Sequence, residues 1–137
     1  GGMGQDLIAR PGDAPTPLWA TQVMIDHPGL VRDVHADYFK AGATVATANT
    51  YAVHHDRLEK FGLDGRFADL HAQALREAAE ARAAHGSGRI AGSLGPLVAS
   101  YRPDAHPPHD EAVAKYAEIA RLNAPGAKCF VRCETER

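Results

Sequence analysis

The chain contains 137 residues, 45% of them hydrophobic and 23% charged, a composition typical of one globular domain. Its formal net charge is -2, and its basic residues are neither in excess nor clustered, which argues against a nucleic-acid partner. No apolar run approaches the ~18 residues of a membrane span, and no signal-peptide pattern begins the chain, so no membrane partner is expected. Its two cysteines lie close together, which predicts a cytoplasmic protein without a disulfide framework.

The first segment, residues 1–17, combines glycines and prolines with a short helical piece at residues 5–10. Gly1, Gly2 and Gly4 permit positive φ angles and a close approach of the backbone to a ligand. Followed by a helix start, they could present N–H groups to an anion, but a flexible terminus is the preferred interpretation of the glycines alone. A second helical piece is predicted at residues 18–26.

Residues 29–41 predict an amphipathic helix that ends at Gly42. His35 lies within its apolar stripe, so a packed histidine is predicted there rather than a catalytic one. The apolar positions repeat at intervals of four residues and form one broad face: Leu30, Val31, Val34, His35, Tyr38 and Phe39.

The run GATVATANTY at residues 42–51 predicts a buried parallel strand, because it is apolar on both faces and turns polar at its end. Asn49, Thr50 and Tyr51 occupy the point where the chain leaves the sheet. Ligands of α/β folds bind at the carboxyl ends of the strands. These three residues are therefore candidates for a binding site.

The polar connection that follows contains His54, His55 and Asp56, which together invite a metal interpretation. Adjacent residues rarely point at one ion, and no third ligand has matching spacing, so a metal site is not predicted. A helix is predicted next, at residues 66–85. Its packed side should carry mainly small residues: Phe67, Leu70, Ala74, Ala78 and Ala81.

Residues 89–95 predict another buried strand, with Ser93 at its exit. The segment 98–110 then holds Tyr101, Arg102, three prolines and two histidines. A loop of this length inside an α/β unit is more often functional than accidental. Its HPPH sequence resembles a metal spacer, but a solvated loop is the better interpretation.

The last predicted elements are a helix at residues 111–122, capped by Asp110, and a strand at residues 128–134. Glu134 stands at the end of that strand. The helix should bury the following residues: Val113, Tyr116, Ala117 and Ala120. The two cysteines of the strand are expected to be packed thiols: Cys129 and Cys133.

Three helix-to-strand units of about 40 to 45 residues predict right-handed βαβ crossovers and a parallel sheet. The three strands should be neighbours whose C-terminal residues, Tyr51, Ser93 and Glu134, converge on one side of the sheet. The alternation of elements alone does not choose between a closed barrel and an open sheet.

Several motifs resemble the N-terminal half of the homocysteine S-methyltransferase family, in the same order and at the same spacings. They are GGMGQDL at residues 1–7, PLWATQVMIDHPGLVRDVHADYFKAGATVATANTY at 17–51, IAGSLGP at 90–96 and CET at 133–135. The most specific combination is the leading Gly-Gly-Met-Gly, the H-P-x-x-V-x-x-V-H-x-x-Y-x-x-A-G-A helix and the T-x-N-T-Y strand end.

The resemblance implies an α/β protein with a (β/α)8 TIM barrel, of which residues 1–137 would form roughly the first half, as a partial homocysteine-binding domain. It implies a zinc-dependent S-methyltransferase that moves a methyl group from a sulfonium or other methyl donor to the thiol of L-homocysteine, giving methionine. Zinc held by three cysteine thiolates would keep the homocysteine sulfur deprotonated near neutral pH. The partners would be homocysteine and a small-molecule methyl donor, and a homo-oligomer is one assembly that the sequence allows.

By position, the resemblance also implies which residues bind the substrate. The leading Gly-Gly-Met matches a backbone turn near the bound amino acid, Tyr51 matches an aromatic residue lining the cleft, and Glu134 matches the carboxylate that receives the substrate amino group. The residues at the strand exits have less defined roles. The full set is Gly1, Gly2, Met3, Asn49, Thr50, Tyr51, Ser93 and Glu134.

The zinc cysteines of the family come from later strands, so no metal ligand and no catalytic residue is assigned within this chain. A barrel typically needs about 250 residues, and the chain is expected to be a truncated form or a part of a longer protein, inactive alone. Another barrel enzyme, such as a lyase or hydrolase, is a distant second interpretation. The non-catalytic alternative is a half-barrel that acts as a binding or dimerising module, and the mass of the intact protein would separate the two.

Overall fold

The computed structural model describes residues 2–132, so the predictions made for Gly1, Cys133 and Glu134 lie outside the described residues. The helices are α1 (Met3–Ala9), α2 (Ala20–Asp26), α3 (Leu30–Lys40), α4 (His55–Leu58), α5 (Phe67–His85) and α6 (His109–Asn123). The strands are β1 (Val45–Thr47), β2 (Arg89–Leu94) and β3 (Cys129–Arg132). Short 3-10 turns occur at Glu59–Phe61, Asp64–Arg66 and Pro103–Ala105.

The three strands form one parallel sheet in the order β1-β2-β3, which confirms the predicted neighbours. Val45 pairs with Arg89, and Ala91 pairs with Cys129. The long helix α5 lies between β1 and β2 in the chain, and α6 lies between β2 and β3. Both helices contact β2, so the central strand is covered by the helices that connect it to its neighbours.

The helix α3 buries the face that its periodicity predicts. Val31, Val34 and Phe39 are at most 2% exposed, and His35 is buried with them. Burial lowers the pKa of His35 to about 4, because desolvation penalises the imidazolium form. The prediction of a packed histidine is therefore confirmed.

Gly42 ends α3 as predicted, with a φ of 101° that other residues rarely adopt. Its N–H donates to the carbonyl of Phe39 at 3.0 Å, and the Ala43 N–H donates to the carbonyl of Tyr38 at 2.9 Å. These bonds satisfy the last carbonyls of the helix and turn the chain toward the sheet. The strand that follows is shorter than the predicted 42–51, because the chain turns again directly after Ala48.

The helix α5 also packs as predicted, since its five expected residues are all buried: Phe67, Leu70, Ala74, Ala78 and Ala81. The prediction for α6 is wrong in two respects. The helix begins at His109, and Asp110 lies in its first turn without making a capping hydrogen bond. Val113 is 52% exposed, and the inward face instead carries Ala112, Ile119 and Asn123. On this inward face, the amide Nδ2 of Asn123 lies 2.9 Å from His71 Nδ1 of α5.

One further prediction needs correction. Cys129 is exposed rather than packed, since it lies on β3 at the edge of the sheet. The freedom of glycine to adopt a positive φ is not used at Gly2, whose φ is -84°, or at Gly4, which lies inside α1. Within residues 2–132, none of the helices combines the length and the apolar character needed to cross a membrane.

Candidate functional site

A cavity of about 650 Å³ lies where β1 and β2 end. Asn49 and Tyr51, just beyond β1, and Ser93 in β2 line it, together with Met3 from α1 and residues 98–101 of the loop after β2. The predicted convergence of strand ends is therefore confirmed for Tyr51 and Ser93. This is the edge of a parallel sheet at which α/β proteins bind ligands.

Tyr51 is held in place by the loop after β2. Its hydroxyl shares a hydrogen bond of 3.1 Å with Ser100 Oγ. Its carbonyl lies so close to Gly95 that a Cβ at that position would be 2.1 Å from the Tyr51 oxygen. Only glycine allows this approach, so the chain after β2 passes directly against the residue that lines the cavity.

Asn49 lines the cavity, but its amide group also connects two elements. The side chain is 6% exposed, and its Nδ2 donates to the carbonyl of Ala20 at 3.0 Å. Since Ala20 begins α2, this bond ties the end of β1 to that helix. Asn49 is thus positioned with little freedom at the edge of the cavity.

Thr50 does not line the cavity, although the sequence makes it a substrate-binding candidate. Its hydroxyl donates to the carbonyl of Ser93 at 2.8 Å and accepts from the Ser93 N–H at 3.0 Å. These two bonds continue the pairing of β1 and β2 past the last regular residue of β1. With both functions of the hydroxyl used by the backbone, the structure assigns Thr50 to the support of the site.

Of the other predicted residues, Met3 lies at the cavity and Gly2 does not. The structure brings Met3, Asn49, Tyr51 and Ser93 together from three separate parts of the sequence. Gly1 and Glu134 are outside the described residues.

The predicted set of site residues leaves out several residues of the cavity wall, among them Trp19, Val98 and Tyr101. These are the three non-glycine residues with positive φ in the described part of the chain, with angles of 51°, 64° and 61°. Such conformations are uncommon for side chains of this size and cluster at functional sites. The only signals in the sequence were the chain's single tryptophan, inside the PLW motif, and the length of the loop.

The charged residues of the wall, Arg57 and Lys60, were also missed. Arg57 Nη2 donates to the carbonyl of Pro96 at 3.1 Å and to Ser100 Oγ at 3.3 Å. Burial lowers the pKa of Arg57, because its guanidinium is partly desolvated. No local pattern marked these two residues, since they lie in a connection that resembles an ordinary polar turn.

Three histidines lie behind the cavity rather than on its wall. His71 is fully buried, with Nε2 3.0 Å from the carbonyl of Val53 and Nδ1 receiving the Asn123 amide, which fixes its tautomer. Burial lowers the pKa of His71 and lowers that of His54 to about 4. His55, in the same connection after β1, is only half-buried.

His55 lies between two carboxylates, with Nδ1 2.5 Å from Asp64 and Nε2 3.2 Å from Glu118. Burial opposes its charge, but the hydrogen bonds to Asp64 and Glu118 outweigh burial and raise the pKa of His55. The ring also stacks on Phe67, with centroids 3.8 Å apart. His55 therefore links α4, α5 and α6 through charge and packing.

The described residues do not fit a zinc site. Among residues 2–132, no three histidine, cysteine, aspartate or glutamate side chains lie together as metal ligands. Catalytic zinc sites in proteins need three such ligands. Cys129, the free cysteine of this part of the chain, is exposed on the edge strand and does not line the cavity.

The chain has a parallel sheet with a cavity at the strand ends, and residues of the GGMG and TANTY motifs line that cavity. These features define a class of ligand-binding α/β protein. The sequence model of the homocysteine S-methyltransferase family matches residues 1–135. The chain belongs to the homocysteine S-methyltransferase family.

Relatives agree with this assignment. The homocysteine S-methyltransferase of Escherichia coli K12 is 32% identical over 120 residues, covering 77% of this chain and 39% of that protein. Homocysteine S-methyltransferase 3 of Zea mays is 37% identical over 51 residues, covering 37% of this chain and 15% of that protein. The matched segments thus cover less than half the length of these two relatives.

A solved structure shows the same fold. The metallated form of the homocysteine methyltransferase MmuM from Escherichia coli aligns with a TM-score of 0.83 and 28% identity. The alignment covers 95% of this chain and 50% of that one. The three-stranded parallel sheet and its helices therefore correspond to half of a larger enzyme.

Proposed function

We propose that this chain is the N-terminal half of a homocysteine S-methyltransferase that folds as a (β/α)8 TIM barrel. The observation that carries the proposal is the cavity at the ends of β1 and β2, where Met3, Asn49, Tyr51 and Ser93 come together. Residues 1–137 then form a partial homocysteine-binding barrel domain, and the protein acts in the cytoplasm, in methionine biosynthesis. Whether it forms a homo-oligomer is a separate question for solution measurement.

The proposed reaction moves a methyl group from a sulfonium or other methyl donor to the thiol of L-homocysteine, giving methionine. Zinc bound by cysteines that lie outside this chain would keep the homocysteine sulfur as a thiolate, the nucleophilic form. The residues of this chain bind and orient the amino acid. Tyr51, fixed by Ser100 and Gly95, forms the aromatic side of the cavity, and Met3 and Ser93 complete the wall next to it.

Glu134 has a separate place in this proposal, as the carboxylate that receives the ammonium group of homocysteine. A carboxylate paired with an ammonium in a solvent-poor site makes a charge-assisted hydrogen bond. The support for this role is the match of the CET motif with the family at residues 133–135.

The test is methyl transfer by the full-length protein that contains this chain, with S-methylmethionine as the first donor and zinc content measured in the same sample. We expect methionine to form from homocysteine, and we expect the 137-residue chain alone to form none. If the intact protein ends at this length and dimerises without transferring methyl groups, the proposal is wrong and the binding-module alternative holds.

A further inference from the structure

The charge on the cavity wall is entirely positive in the part of the chain that the structure describes. Arg57 and Lys60 line the cavity, and no aspartate or glutamate among residues 2–132 does so. Arg57 lies in α4, and Lys60 follows it in the 3-10 turn Glu59–Phe61. A cavity whose charges have one sign attracts a ligand group of the opposite sign.

Arg57 is held in place by neutral groups. Its Nη2 bonds the Pro96 carbonyl and Ser100 Oγ, and Ser100 Oγ in turn shares a hydrogen bond with the hydroxyl of Tyr51. These contacts anchor one side of the guanidinium to the loop after β2. They fix the position of Arg57 at the cavity wall without neutralising its charge.

Arg57 has no carboxylate partner within the described range. The adjacent Asp56 is already paired, with its Oδ1 2.6 Å from Lys115 Nζ. None of the ion pairs found between described residues includes Arg57. Its Nε is buried without a hydrogen-bond partner there. A partly desolvated cation in this state gains free energy when an anion reaches it.

We propose that Arg57, assisted by Lys60, binds the carboxylate of the amino acid that occupies this cavity. The inference rests on the proposed function, since both L-homocysteine and an amino-acid methyl donor such as S-methylmethionine carry an α-carboxylate. A guanidinium offers parallel N–H donors that match the two oxygens of a carboxylate. Arg57 would then select amino acids over amines with the same sulfur group.

The test compares each amino acid with its decarboxylated analogue in the full-length protein. The pairs are L-homocysteine with 3-aminopropane-1-thiol, and S-methylmethionine with (3-aminopropyl)dimethylsulfonium. In Arg57→Gln, we expect the KM of at least one amino acid to rise roughly tenfold to a hundredfold, the scale of a hydrogen bond to a charged group. The KM of its analogue should stay within about threefold of the wild-type value, since that molecule has no carboxylate for Arg57 to bind. The affected pair identifies the carboxylate that Arg57 binds.

Two further variants serve as controls. Arg57→Lys keeps the positive charge, so its KM for the amino acid should rise less than that of Arg57→Gln. If Arg57→Gln does not fold, the amino acid and its analogue are compared in Arg57→Lys instead. Arg121→Gln removes the same group from an exposed position on α6 and should change neither KM.

Equal losses for amino acids and analogues, or no loss at all, would overturn the proposal, because Arg57 would then only support Ser100 and its loop. Failure of the proposed function has a different signature, namely no methyl transfer by the wild-type protein. Calorimetric binding of homocysteine and 3-aminopropane-1-thiol to wild type and Arg57→Gln still tests Arg57 in that case, by the same selective loss.

Discussion

At the scale of single residues, neighbouring side chains of one sequence motif take different roles at the cavity. Tyr51 faces the cavity, whereas the adjacent Thr50 binds the backbone of Ser93. Because side chains of successive residues point in different directions as the chain leaves a strand, neighbours in a motif need not share a function. This distinction leads to two predictions.

The first prediction concerns Thr50. Thr50→Val keeps the shape of the side chain but removes both bonds to Ser93, leaving a buried N–H and carbonyl without their partner. We expect the free energy of unfolding to fall by about 1–3 kcal/mol, measured by urea denaturation. Thr50→Ser retains the hydroxyl and should lose less. Unchanged stability in Thr50→Val, together with weaker homocysteine binding, would return Thr50 to the substrate-binding set.

The second prediction concerns Gly95, where a Cβ would lie 2.1 Å from the carbonyl oxygen of Tyr51. Gly95→Ala must move the backbone of one of the two segments, so we expect a destabilisation of about 1–3 kcal/mol and weaker ligand binding at the cavity. Gly65→Ala is the matched control, since nothing lies within 4 Å of a Cβ there. Equal behaviour of the two variants in thermal unfolding would contradict the contact.

At the scale of elements, the connection after β1 is ordered by side chains that reach it from α5 and α6. His71 of α5 bonds the carbonyl of Val53, Asn123 of α6 bonds His71, and Lys115 of α6 bonds Asp56. These contacts hold α4, and with it Arg57, against the end of the sheet. The position of the cavity wall therefore depends on two helices that contribute no residue to the cavity itself.

His55 makes this link dependent on pH. Its pKa is raised from 6.5 in the folded state, so its stabilising contribution is complete below that value and is lost as the pH rises through the folded pKa. We expect the free energy of unfolding of wild type, relative to His55→Gln, to decrease between mildly acidic and alkaline pH. Urea denaturation of both proteins across this range measures it, and parallel pH profiles would exclude the charged bridge to Asp64 and Glu118.

At the scale of the whole molecule, the edge strand β3 carries two neighbouring exposed apolar residues. Phe130 and Val131 of β3 are 39% and 42% exposed, next to the exposed Cys129. Apolar residues on a strand edge form a surface on which further chain can pair. Because the chain aligns with half of MmuM, we expect further strands of the complete protein to cover this surface.

The prediction at this scale compares the 137-residue chain with the full-length protein. We expect the isolated chain to bind a hydrophobic dye such as ANS more strongly and to self-associate, because β3 remains uncovered. Sedimentation velocity and dye fluorescence measure both effects, and Val131→Lys should reduce them in the isolated chain. A monomeric chain with no excess dye binding would show that this edge is not an interface.

The sequence alone determined the elements whose signals are local. The periodicity of α3, the small residues of α5 and the glycine stop at Gly42 are fixed by helical geometry over a few turns, and the structure confirms each. The order of parallel strands also followed, because helices between strands permit few arrangements. The family motifs gave the homocysteine S-methyltransferase assignment, which the matched residues 1–135 confirm.

The tertiary structure alone decided which side chains form the cavity and which support it. Arg57 reaches the loop after β2 across 43 positions to Ser100, and Thr50 bonds Ser93 across the same separation. On the inward face of α6, Asn123 bonds His71, 52 positions away. Local sequence patterns do not predict such contacts, since the contacts form only when the strands and helices pack. The burial of His35 was readable from its own helix, whereas the exposure of Cys129 depended on its place at the edge of the sheet.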